Sequence, residues 1–97
     1  EDHVSMAAHG AVRLGRMVNN LERILGVELL CAAQGVNFRA PLATSAPLAS
    51  VVHALRREVP KLAEDRFLAP DLEKAAALVR SGALMRAAET SMPDLAP

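Results

Sequence analysis

The sequence has no tryptophan, no tyrosine and two phenylalanines in 97 residues. Its 11 basic residues are matched by 11 acidic ones. A nucleic-acid binder needs aromatic rings for base stacking or a basic face for phosphates, and this chain offers neither. The single cysteine, Cys31, excludes an internal disulfide and suits a reducing compartment such as the cytoplasm. No stretch approaches the roughly 20 apolar residues needed to span a bilayer, so no membrane partner is expected. The opening Glu1-Asp2-His3 lacks the positive charge and apolar core of a signal peptide. The first residue is not methionine, and the sequence alone leaves processing, trimming and excision from a longer protein open. There is no internal repeat, no low-complexity run, no glycine-rich phosphate loop and no Gly-x-Ser-x-Gly elbow.

What is present is apolar and small. Hydrophobic residues make up 52% of the chain, and much of that is alanine. Alanine is the best helix former and lets helix backbones approach closely. A mass of 10.3 kDa allows one small domain with a marginal core. The apolar content therefore points to helices packed on helices, some of them outside this chain.

The expected architecture is all-α: one long N-terminal helix followed by two or three shorter ones, a fragment of a larger helical bundle. Val4, Ala7, Ala11, Leu14, Val18, Leu21 and Leu25 recur at three- and four-residue steps. The pattern predicts a helix from about Asp2 to Gln34, roughly 50 Å long, with Gly35 as its stop. Leu29 to Ala33 are apolar all round and predict burial on every side. Gly10, Gly15 and Gly26 each weaken an isolated helix by about 1 kcal/mol and so suggest tight helix contacts. Such a helix is too long for a globule with a radius of gyration of about 13 Å, and it wants partners elsewhere. The organisation is read as a long bundle helix over 1–35, with shorter helices and a tail over 36–97.

A loop with Pro41 follows. Ser45 and Pro47 open a second helix with the stripe Leu48, Val51, Val52, Leu55 and Val59, and Arg56 and Arg57 suit its C-terminal end. Pro60 ends it. Pro70 opens a third helix with Asp71 and Glu73 in its first turn, closed by Arg80 and Gly82. Ala83 to Glu89 form a short fourth, and the tail from Thr90 is expected to fray.

Few residues suggest chemistry. Glu1, Asp2 and His3 are either an N-terminal cap favoured by the helix dipole or a site carboxylate with its orienting neighbours. His3 and His9 are six apart, not the four of a zinc helix, and His53 stands alone, so no metal site is expected. Glu28 inside an apolar run is either a buried charge with a partner or an interface contact. Cys31 reads as a small core residue. Arg66 with Glu64 and Asp65 reads as an ion pair across a turn, and Arg80-Ser81-Gly82 as a helix end.

The stretch Glu1-Asp2-His3-Val4-Ser5-Met6 resembles a motif of the bacterial histidine ammonia-lyases, within the aromatic amino acid ammonia-lyases. The resemblance continues at Glu28-Leu29-Leu30, Ala32-Ala33-Gln34-Gly35, Glu64 to Asp71 and Leu78 to Gly82, covering essentially the whole chain in the family's order. It implies the C-terminal helical part of a cytoplasmic homotetramer that removes ammonia from L-histidine to give trans-urocanate. It also implies a methylidene-imidazolone electrophile made from an internal Ala-Ser-Gly, and active sites shared between subunits. The residue it assigns to the site is Glu1, a carboxylate near the substrate imidazole. Phenylalanine and tyrosine lyases typically carry glutamine there, so glutamate points to histidine.

The departures are as informative. The chain has no Ala-Ser-Gly, since Ser81-Gly82 follows Arg80, and no tyrosine, which the family uses in its site. No cofactor-binding residue is therefore assigned, and the chain alone is expected to be inactive. The alternatives are a self-associating helical fragment without activity, or a segment of another aromatic amino acid lyase or aminomutase.

Overall fold

The computed structural model describes residues 3–92. Among them are four helices and no strand: α1 (Ala7–Phe38), α2 (Ala46–Glu58), α3 (Ala69–Arg80) and α4 (Ala83–Glu89). The all-α architecture with one long leading helix is as the periodicity predicts. The 32 residues of α1 span about 48 Å.

The boundaries of α1 differ from expectation at both ends. Its first turn begins at Ala7, whose amide donates to Ser5 Oγ at 3.4 Å. At the other end the helix passes through Gly35 and stops at Phe38. Glycine inside a helix costs only about 1 kcal/mol. Here the last turn is held by Arg56, which donates to Asn37 Oδ1 at 2.8 and 3.1 Å. The chain turns at Arg39-Ala40, where Pro41 disfavours helical geometry in the residue before it.

Helix α1 packs on α3, and α2 packs on α4, with α3 also touching α2 and α4. The core is small: Ala33, Leu55, Val59 and Ala75 are buried, and Leu29, Leu30, Val52 and Leu78 pack around them. Helix α1 comes close to the α3 backbone at Gly26. A Cβ there would lie 2.9 Å from Ala76 N and 3.2 Å from Ala75 C. Gly10, Gly15 and Gly35 have open space instead, so the tight contact expected of Gly10 and Gly15 is not made among the described residues.

The expected all-round burial of Leu29 to Ala33 is not found. Ala33 is buried and Leu29 and Leu30 are half-buried, but Cys31 and Ala32 are exposed. The reason is geometric: α3 covers one side of α1, and nothing among the described residues covers the other.

The shorter helices follow their punctuation. Ser45 precedes α2 in extended backbone and Pro47 occupies its first turn, though the Ser45 side chain makes no capping bond. Arg56 Nη1 reaches the carbonyls of Val59 and Pro60 at 3.4 Å each, satisfying acceptors beyond the helix end. Asp71 lies in the first turn of α3, and Gly82, at φ 70°, makes the left-handed turn into α4. Of the tail, Ser91 Oγ lies 3.0 Å from Ser50 Oγ on α2, and residues 93–97 lie outside the described residues.

The chain is extended, with a radius of gyration of 17.8 Å against about 13 Å for a globule of this length. It exposes 7631 Å², whereas area scaling gives about 5,400 Å² for a compact monomer of its mass. Much of the excess is apolar. Leu14, Met17, Val18, Leu21 and Ile24 along α1 are all exposed.

Candidate functional site

Glu1 and Asp2, the carboxylates singled out in the sequence, lie outside the described residues. His3, the first residue described, is exposed and stands four residues before α1. His9 is exposed on α1 and His53 is exposed on α2. Among the described residues no group of three or more His, Cys, Asp or Glu could hold a metal ion. No helix among them is long and apolar enough to cross a membrane.

Three expectations for side chains are corrected. Cys31 is exposed rather than in the core, because it faces an open groove between α1 and the start of α3. Glu28 is exposed and has no ion-pair partner among the described residues, so a buried charge with its partner is not found among them. Arg66 does not pair with Glu64 or Asp65. Its Nη2 and Nε lie 2.8 and 2.9 Å from Asp71 Oδ2 on α3. Glu64 and Asp65 are exposed, whereas Asp71 is 8% exposed, so the buried carboxylate is the one that needs the guanidinium.

What the fold does assemble is a polar latch around the strap between α2 and α3. The Gln34 carboxamide on α1 donates from Nε2 to the Leu62 carbonyl at 2.9 Å and accepts from the Leu62 amide at 3.1 Å. Arg56 Nη2 donates to Gln34 Oε1 at 3.3 Å, tying the end of α2 to the same group. Arg66 Nη2 donates to Pro60 O at 2.9 Å and Nη1 to Lys61 O at 3.3 Å. Burial, and then the nearby Arg66 charge, lower the Arg56 pKa from its ordinary value.

Beneath the strap lies a groove of about 430 Å³, walled by α1 and the start of α3. Val27, Leu30, Leu62, Leu68 and Leu72 line it, and Cys31 and Phe38 face it from α1. Elsewhere, Arg80 Nε donates to Glu22 Oε2 at 2.7 Å, joining the end of α3 to α1. Arg23 and Glu73 form a looser exposed pair at 3.7 Å.

The latch was not anticipated as a unit. Arg56 reads in sequence as a helix-end cation, and Asn37 as a loop residue. Gln34, Arg66 and Asp71 do fall in stretches that carry the family resemblance, and that is the signal that could have found them. Their side chains hold the strap in place.

The sequence profile described as "Aromatic amino acid lyase" matches residues 1–57, more than half of the chain. A histidine ammonia-lyase of Bradyrhizobium diazoefficiens is 61% identical over 94 residues, which is 97% of this chain and 18% of that protein. One from Roseobacter denitrificans is 62% identical over 84 residues, 87% of this chain and 16% of that protein. The chain thus spans less than a fifth of the length of these relatives. No solved structure matches it. A family profile over all of its long helix and nearly all of α2, and relatives matched over 87–97% of its length, place the chain in the aromatic amino acid lyase family.

Proposed function

We propose that this chain is the C-terminal helical segment of a histidine ammonia-lyase, which eliminates ammonia from L-histidine to give trans-urocanate. The observation that carries the reading is 61% identity, over 97% of the chain, to a protein of that name. The motif Glu1 to Met6 supports histidine as substrate. In this reading Glu1 supplies a carboxylate that binds the substrate imidazole and handles its proton. The exposed apolar face of α1 supports assembly into a homo-oligomer, a tetramer as the resemblance implies, and the setting is cytoplasmic.

The methylidene-imidazolone electrophile implied by the resemblance does not fit the residues present. Ser81 and Gly82 are the end of α3: Ser81 Oγ donates to Leu78 O at 3.2 Å and accepts from the Ala83 amide at 3.4 Å. With Arg80 in front of them they are not an Ala-Ser-Gly. In this reading the precursor belongs to the polypeptide outside this stretch.

The test supplies the complete polypeptide carrying this sequence with L-histidine, L-phenylalanine or L-tyrosine and follows the absorbance of the unsaturated acid formed. Urocanate from L-histidine is expected. Cinnamate or coumarate without urocanate would reassign the chain to another lyase of the family. The 97-residue chain alone is expected to give no product, and turnover by it would overturn the reading.

A further inference from the structure

We propose that the groove under the 59–68 strap seats an apolar segment of the same polypeptide, drawn from outside these 97 residues. The inference rests on the reading of the chain as one part of a longer lyase polypeptide.

The first argument is the chemistry of the groove. Its polar groups are already engaged. Arg56 is held by Asn37, Gln34 and two backbone carbonyls. The Gln34 carboxamide is spent on Leu62 and Arg56. Arg66 is spent on Asp71 and two carbonyls. Among the described residues no buried side-chain nitrogen or oxygen lacks a partner. A charged or polar occupant would lose its hydration and find nothing to bond, whereas an apolar one loses nothing.

The second argument is the rim. The chain has two aromatic residues, and both are exposed here: Phe38 at 78% and Phe67 at 81%. Phe38 lines the groove, and Phe67 stands between two lining residues, Arg66 and Leu68. Rings are among the side chains that gain most from burial, and leaving both in water marks a surface waiting for cover.

The third argument identifies what covers it. The relatives carry more than four-fifths of their length outside the part this chain matches. A segment of the same polypeptide is present at an effective concentration that a separate molecule at cellular levels does not match.

Cys31 on the α1 wall and a Leu72→Cys substitution on the α3 wall report on cover from opposite sides. Each is labelled with a maleimide in the complete polypeptide, and the rate is read by mass spectrometry of its own peptide, natively and in urea. Both are expected to label more than tenfold more slowly in the native protein. Leu68→Cys replaces the α3-side reporter if Leu72→Cys does not fold. A native rate within tenfold of the urea rate at either wall overturns the inference. So does protection lost on dilution, which would mean a second copy fills the groove. Urocanate production is measured on the same samples. Protection without lyase activity leaves this inference standing and removes the functional reading, and activity with an open groove does the reverse.

Discussion

The Gln34 side chain pairs with the backbone of Leu62 through both of its polar atoms, donating at 2.9 Å and accepting at 3.1 Å. A helix residue thereby acts as a one-rung partner for a strap that has no regular structure. Gln34→Ala removes both bonds and frees Arg56 from one acceptor. Because Leu62 is exposed, water replaces part of the loss, and the cost is expected to be about 1 kcal/mol. The sharper readout is local: the Leu62 amide should exchange with deuterium much faster, while amides in the middle of α3 keep their rates. Unchanged exchange at Leu62 would show that the pairing does not hold the strap.

Gly26 and Gly15 make opposite predictions on the same helix. A methyl group at Gly26 meets the α3 backbone at 2.9 Å, and backbone cannot swing aside, so the helices must separate. Gly26→Ala is expected to destabilise by about 1–3 kcal/mol, more than the gain of about 1 kcal/mol in helix propensity. Gly15→Ala meets nothing within 4 Å and should keep that gain. Urea midpoints of the two variants of this chain should therefore move in opposite directions.

Arg66 and Asp71 are expected to be strongly coupled, and Arg23 and Glu73 hardly at all. Asp71 is 8% exposed, and Arg66→Ala would leave its carboxylate buried without a counter-charge, at about 2–3 kcal/mol. The Arg66 side chain is itself 32% exposed, which keeps the figure below that of a fully buried pair. Arg23 and Glu73 lie 3.7 Å apart in solvent, where such pairs contribute at most a few tenths of a kcal/mol. Double-mutant cycles on both pairs would decide, and a coupling at Arg66–Asp71 no larger than at Arg23–Glu73 would refute this account.

The contrast between these pairs shows where sequence was enough and where it was not. Helix periodicity, Pro47, Pro70 and Gly82 mark the three shorter helices because each signal is local. Gly35 misleads because its local cost of about 1 kcal/mol is outweighed by Arg56 reaching across from α2 to Asn37. The partner of Arg66 could not be chosen between neighbours in sequence, because what decides it is the burial of Asp71, a property of the packed fold. Cys31 reads as a core residue because its stretch is apolar on all sides. That reading supposes cover on all sides, and within this chain α3 covers one. Of the candidate site, the sequence shows one residue by resemblance, Glu1, and its position lies outside the described residues.

Glu1→Gln in the complete polypeptide tests that one residue. The amide keeps the size and shape of the carboxylate but carries no charge and accepts no proton near neutral pH. If Glu1 binds the imidazole and handles its proton, kcat for urocanate formation should fall by about 10²–10⁴, the usual contribution of a positioned acid–base group. A residue that merely caps a helix predicts something else. Glutamine would then weaken the start of the chain slightly, and α1, which begins six residues later at Ala7, would leave kcat within a few-fold of the parent. The two roles also separate in pH. An ionising carboxylate that acts in catalysis puts an acid limb on the rate profile, and the glutamine variant should lack it. Retention of full kcat with the acid limb in place would remove Glu1 from the site.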